Sequence, residues 1–137
     1  MSKTTIHSFT VQFGDCDPAG IVFFPNFMRW MDASSMNFFR ECGLPPWRET
    51  ATTLGILGTP VLEINTRFSS PAVYGDRLDI HTTVEDWQNK VFKHRHRVLC
   101  GDRLVCEGTE VRAFVANDDT GRMRAIPIPA EILAACS

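Results

Sequence analysis

The sequence has no surplus of positive charge, no apolar run long enough to span a bilayer, and no CxxC pair of cysteines. Lys plus Arg number 14 against 16 Asp plus Glu, for a formal net charge of −2. A chain so balanced presents no broad basic face, which sets nucleic acid aside as a partner. A small anionic ligand has to be met by a local cluster of cations instead. No apolar stretch approaches the ~20 residues that a membrane helix needs, so no membrane partner is expected. The opening MSKTTIHSF is too polar for a signal peptide. The five cysteines, Cys16, Cys42, Cys100, Cys106 and Cys136, are odd in number and scattered. They read as free thiols in a reducing compartment, which predicts a cytoplasmic protein. Internal repeats, low-complexity tracts and Gly/Ser linkers are also missing, so residues 1–137 read as a single domain.

What is present is a phenylalanine-rich interior: hydrophobic residues make up 44% and ten of them are Phe. Residues 6–13 alternate, with Phe9, Val11 and Phe13 on one face, and predict a first strand. The turn-forming GDCDPAG follows. Pro25 then suits a first helical turn, and Gly43 with Pro45 and Pro46 beyond it suits a stop. The apolar residues between them cover most of the circumference, predicting a helix buried on several sides. PWRETATTLG predicts a short second helix and PAEILAACS a terminal helical turn. Strands are expected over 60–68, 78–85, 91–99, 104–116 and 123–128. Short turns make such strands antiparallel, and one sheet around one buried helix is an α+β layout. An open sheet leaves edges, which dimerisation commonly covers.

Chemistry first draws attention to Asp15-Cys16-Asp17, between the first strand and the helix. The helix starts near Phe24, and neither Phe24 nor Pro25 is a good cap. Unpartnered N–H groups at a positive helix end attract a ligand oxygen. A carbonyl docked there is polarised, and a carboxylate seven residues upstream can act on its carbon, which together make an acyl-transfer site. On spacing alone, turn hydrogen bonds are the better account of Asp15 and Asp17. DxD after a strand also opens some metal-dependent phosphatases, although Pro18-Ala19-Gly20 lacks the hydroxyl that such sites carry and no βαβ repeat is evident. His94 and His96 share one strand face, but two further zinc ligands are unaccounted for. KHRHR reads as a solvated face. Cys16 lacks a His or other positive neighbour, and two carboxylates beside it disfavour the thiolate. Trp30, Trp47 and Trp87 read as core residues.

The segment FGDCDPAGIVFFPNFMRWMDASSMNFFRECGLPPWRET, residues 13–50, resembles the 4-hydroxybenzoyl-coenzyme A thioesterases of the hotdog superfamily. The likeness continues through GILGTP, EDWQNKVFKHRH and GRMRAIPIP, and so covers nearly the whole chain. It implies a hotdog fold, a five-stranded antiparallel sheet wrapped around one long helix, with dimers paired into a homotetramer and sites between subunits. It implies that Asp17 is the catalytic carboxylate and that the Phe24 main-chain N–H holds the thioester carbonyl. Asp32, Trp47 and Thr59 match positions that form or border the aryl pocket. Lys90, Arg122 and Arg124 match basic positions that meet the coenzyme A phosphates. Position 24 departs from the family in carrying Phe where relatives carry Tyr or His, so only its backbone role transfers. Gln88 and Asn89 are less basic than their counterparts.

The implied activity is hydrolysis of an aromatic acyl-CoA thioester, with Asp17 as nucleophile or general base and with neither metal nor cofactor. An aliphatic acyl-CoA or an acyl carrier protein thioester is the alternative within the same fold. A non-catalytic acyl-CoA binding module is the alternative of another class, although pure binding gains nothing from a carboxylate beside a thioester.

Overall fold

Apolar residues at 27, 30, 31, 38 and 39, with Ser34 and Ser35 between them, repeat at helical spacing, and the computed structural model, which describes residues 3–137, places them along one buried face of helix α1 (Pro25–Glu41). Arg29, Asp32, Ala33, Met36 and Arg40 lie along the exposed stripe. The helix is therefore amphipathic, not buried on several sides as its composition predicts, because the apolar Ala33 and Met36 fall on the open stripe. Its end follows the expected logic: Gly43 takes φ +96 just past the last turn, a conformation costly to any residue with a Cβ.

Strand β1 (Thr4–Thr10) precedes α1, and helix α2 (Trp47–Thr53) follows it. Then come β2 (Val61–Phe68), β3 (Arg77–Trp87), β4 (Val91–Cys100) and β5 (Arg103–Ala113). A small ribbon of β6 (Val115–Asn117) and β7 (Met123–Ala125) and a final helix α3 (Ala130–Ala135) close the chain. The five long strands form one antiparallel sheet in the order β1-β3-β4-β5-β2, wrapped around α1. This is the α+β hotdog arrangement that the resemblance implies. The first strand stops at Thr10, short of its expected end. Phe13 enters a 3-10 turn (Phe13–Asp15) and is 80% exposed, while Val11 stays buried.

The core divides in two. Phe27, Trp30 and Met31 pack on Leu78, Ile80 and Val98 at one end of α1. Phe38 and Phe39 pack on Ile56, Phe92, Phe114 and Ile132 at the other. Between them runs a buried polar layer of Ser34 and Ser35 from α1, Thr82 from β3, His94 and His96 from β4, and Glu110 and Arg112 from β5. His94 and His96 are fully buried on the core face, which corrects the expectation of a solvated KHRHR face. Strand parity explains it: Phe92 and Val98 share the side of the two histidines, and Arg95 and Arg97 point outward.

Cys42, just past α1, and Cys136, just past α3, are joined in a disulfide with Cα atoms 5.2 Å apart. This corrects the reading of five free thiols: a separation of 94 residues hides the pairing from the sequence. Cys16, Cys100 and Cys106 are free. Burial pushes the Cys106 thiol up to about 12, which leaves it inert. Among the described residues no helix is long and apolar enough to cross a membrane.

Candidate active site

The loop before α1 folds back on itself as a miniature ladder. The Asp17 N–H donates to the Ile21 carbonyl (2.9 Å), and the Phe23 N–H donates to the Asp15 carbonyl (2.9 Å). Gly20, at φ +81, makes the reversal between the two arms. The two aspartates have different tasks. The Asp15 carboxylate accepts the Gln12 N–H at 2.8 Å, and the Asn26 amide holds its carbonyl at 2.8 Å, so Asp15 ties the loop to strand and helix. Asp17 Oδ1 accepts the Ala19 N–H at 2.9 Å. Its Oδ2 has no partner among the described residues. The turn reading thus holds in full for Asp15 and for one oxygen of Asp17.

The helix start is less open than the capping pattern predicts. The Asn26 N–H donates to the Phe23 carbonyl and the Phe27 N–H to the Phe24 carbonyl, while Pro25 has no N–H to give. That leaves the Phe24 N–H, which finds no acceptor among the described residues. One free amide therefore stands at the positive end of a 17-residue helix, one residue beyond the arm that is paired to Asp15.

Asp17 lines a cavity of about 510 Å³ with Phe13, Cys16 and Tyr74. Phe24 borders a second, of about 480 Å³, walled by Ile21, Phe27 and Phe68. Asp32, Trp47 and Thr59 converge on a third, of about 580 Å³, between the exposed stripe of α1 and residues 57–61. Gly58 borders it at φ +153, a backbone conformation that side chains with a Cβ rarely adopt. A single chain thus brings the three expected aryl-pocket residues together but does not join them to Asp17 in one cavity.

The floor of the third cavity is Arg112, which sequence reasoning missed. Its Nη2 donates to Asp32 Oδ1 (2.8 Å) and Glu110 Oε2 (2.9 Å), and its Nη1 donates to the Thr59 carbonyl (2.8 Å). Behind it, Glu110 Oε1 pairs with His96 Nε2, and His96 Nδ1 meets Thr82 Oγ1 at 2.8 Å. Burial raises the affinity of Glu110 for a proton, but the His96 hydrogen bond and the charges of His96 and Arg112 outweigh it, so the carboxyl sits below its ordinary range. His94 Nδ1 meets Ser35 Oγ at 2.9 Å, and its Nε2 has no partner among the described residues. Burial first, then the charges of His96 and Arg112, hold its basicity well below that of a free imidazole. His94, His96 and Glu110 do offer three donor atoms within 4.8 Å of one another. The guanidinium already bound to Glu110 opposes a second cation there. Alternation of β4 and β5 with their buried apolar neighbours was the signal that could have found this layer.

Lys90 is exposed in the turn between β3 and β4. The backbone sets that turn beside the β6–β7 ribbon: the Phe114 N–H donates to the Lys90 carbonyl and the Ile128 N–H to the Asn89 carbonyl. Arg122 and Arg124 stand exposed on that ribbon. Arg124 Nε lies 3.2 Å from Asp118 Oδ2. Hydrogen bonds from Thr120 and the Arg122 backbone hold the Asp118 carboxyl at about 2, so this counter-charge is permanent near neutrality.

The family model of the thioesterase-like superfamily matches residues 11–136. The 4-hydroxybenzoyl-CoA thioesterase of Pseudomonas sp. (strain CBS-3) is 46% identical over 142 aligned positions that cover 100% of both chains. The crystal structure of a D17N mutant 4-hydroxybenzoyl-CoA thioesterase complexed with 4-hydroxybenzoyl-CoA superposes with a TM-score of 0.93 at 43% identity, covering 98% of this chain and 99% of that one. A gentisyl-coenzyme A thioesterase structure gives a TM-score of 0.82 at 32% identity, covering 96% and 98%.

Proposed function

The chain belongs to the thioesterase-like superfamily and is an acyl-coenzyme A thioesterase, and we propose that it releases an aromatic acyl group resembling 4-hydroxybenzoate by the action of Asp17. The reading is carried by one juxtaposition: a carboxylate oxygen on one arm of a short ladder and a helix-terminal amide one residue beyond the other arm, both without partners among the described residues.

The thioester oxygen accepts the Phe24 N–H, which stabilises the negative charge that grows on it as the carbonyl carbon is attacked. Asp17 either attacks that carbon itself or takes a proton from an attacking water. Either way the C–S bond breaks, coenzyme A leaves as its thiol, and water supplies the hydroxyl of the free acid. No step requires a metal or cofactor. Asp32, Trp47 and Thr59 receive the acyl group, and Lys90, Arg122 and Arg124 meet the phosphates of coenzyme A. Residues 1–137 act as one domain in a cytoplasmic enzyme.

The separation of the Asp17 cavity from the Asp32 cavity favours a site completed by a second copy of the chain. The surface supports the same reading: edge strand β2 exposes Leu62, Ile64 and Phe68 together. Dimers paired into a tetramer satisfy both demands.

A thiol-release assay over benzoyl, hydroxybenzoyl and short aliphatic CoA thioesters tests the proposal. The aromatic thioesters are expected to turn over with the higher kcat/KM. Preference for the aliphatic ones refutes the aromatic assignment, and release of no thiol from any of them refutes catalysis in favour of a binding module.

A further inference from the structure

We infer that Asn26 is a positioning residue for thioester cleavage: its side-chain amide clamps the Asp17 loop to the start of α1 and so fixes the Asp17 carboxylate relative to the Phe24 N–H. The inference rests on the reading of those two groups as the reacting pair. The two arms of the loop are held unequally. The return arm, which leads to Phe24, is fixed from outside the loop, because the Val22 N–H donates to the Ala72 carbonyl at 2.9 Å. The outgoing arm, which carries Asp17, depends on the ladder, on turn bonds to residues 12 and 13, and on Asn26. Asn26 Nδ2 donates to the Asp15 carbonyl at 2.8 Å. Among the described residues this is the one hydrogen bond from an α1 side chain to the loop.

The amide is set one way round. Nδ2 faces a carbonyl, and Oδ1 accepts Arg29 Nη1 at 3.4 Å. The Asp15 carbonyl receives both this donor and the Phe23 N–H, so both of its lone pairs are used. Without Asn26 the outgoing arm hinges on its ladder to the return arm, and Asp17 tilts relative to the helix start. A shift of about 1 Å between reacting groups can cost about a hundredfold in rate. Asn26 lines none of the three cavities, so it acts through Asp17 and not by touching substrate.

A double-mutant cycle tests this, with 4-hydroxybenzoyl-CoA as the probe and thiol release as the signal. Asn26→Ala is expected to lower kcat by about tenfold to about a hundredfold and to leave KM within about twofold. The same substitution made in Asp17→Asn should lower the residual kcat by less than about twofold, because no carboxylate remains to be aimed. The midpoint of urea unfolding should shift equally in the two backgrounds, so a structural loss cannot imitate the split.

An equal loss of kcat in both backgrounds overturns the inference, since Asn26 then supports the fold at large. Near-normal kcat in Asn26→Ala, or a loss confined to KM, overturns it as well. Each of these results leaves the role of Asp17 standing. Near-normal turnover of Asp17→Asn alone refutes the mechanism proposed for Asp17, and this inference with it. Should Asn26→Ala fail to fold, Asn26→Leu, which keeps the bulk and lacks the donor, decides by the same criteria.

Discussion

Asp17 and Glu110 are two carboxylates held in opposite ways by one fold. Asp17 sits half-buried in a loop, with a single backbone N–H on one oxygen and nothing among the described residues on the other. Glu110 is 3% exposed, with both oxygens taken by Arg112 and one also by His96. A reacting group has to keep a lone pair free for substrate. A structural ion in the core has to spend every one, because an unpaired buried charge is costly. Under the proposed mechanism, the partner count separates Asp17, kept for chemistry, from Glu110, kept for architecture.

Replacing each acid separates activity from stability. Asp17→Asn keeps an oxygen for the Ala19 N–H, so its unfolding free energy should stay within about 0.5 kcal/mol of wild type. Its kcat should fall by at least about a hundredfold and as much as about 10⁴. Near-normal turnover of Asp17→Asn removes that carboxylate from the mechanism. Glu110→Ala should show the reverse weighting. It strands Arg112 and His96 without their shared anion, and urea unfolding should reveal a loss of about 3–5 kcal/mol. A Glu110→Ala protein as stable as wild type would mean that the buried layer is not held by that anion.

The next contrast divides one residue. The Phe24 ring is 61% exposed and touches Phe23 edge-on at 5.7 Å, whereas its N–H is the only part given a catalytic role. Phe24→Ala should therefore cost less than about tenfold in kcat. Phe24→Pro deletes the N–H at a position whose φ of −54 suits proline. It should cost about 10²–10³ in kcat, the usual loss for one oxyanion donor. Equal effects of the two substitutions would place the role in the ring.

The same division explains what the sequence makes legible. The Asp17 loop and the helix start are contiguous, so turn residues, Pro25 and Gly43 locate them in one reading, and strand alternation recovers the sheet. The Glu110 layer is assembled from α1, β3, β4 and β5, with members up to 80 residues apart in the Asp32–Arg112 pair. KHRHR looks like a charged surface because its outward arginines hide its inward histidines. The Cys42–Cys136 bridge escaped for a similar reason, since only the packing of α3 near the end of α1 brings those thiols together. Local chemistry is written in neighbouring residues, whereas a buried network is written in parity and register, which must be read across strands.

His94 gives the smallest and most specific way to probe that network. Its basicity is lowered by burial and by the nearby charges of His96 and Arg112, so it stays neutral in the fold. The unfolded imidazole, with an ordinary value of 6.5, takes up a proton as the pH falls through that value. The unfolded state then binds more protons than the folded one, so stability decreases toward acid and is recovered above 6.5. Between about pH 7.5 and about pH 5.5 this group alone should remove about 1.4 kcal/mol. Glu110, also lowered, acts with the same sign but below its ordinary 4.5, outside this window. His94→Gln retains a partner for Ser35 Oγ and cannot titrate. It should be less stable than wild type near pH 7.5, and the gap between the two should narrow by about that amount near pH 5.5. A gap that stays constant would mean that His94 accepts its proton inside the fold, and the buried layer would then carry a charge that its present partners leave uncompensated.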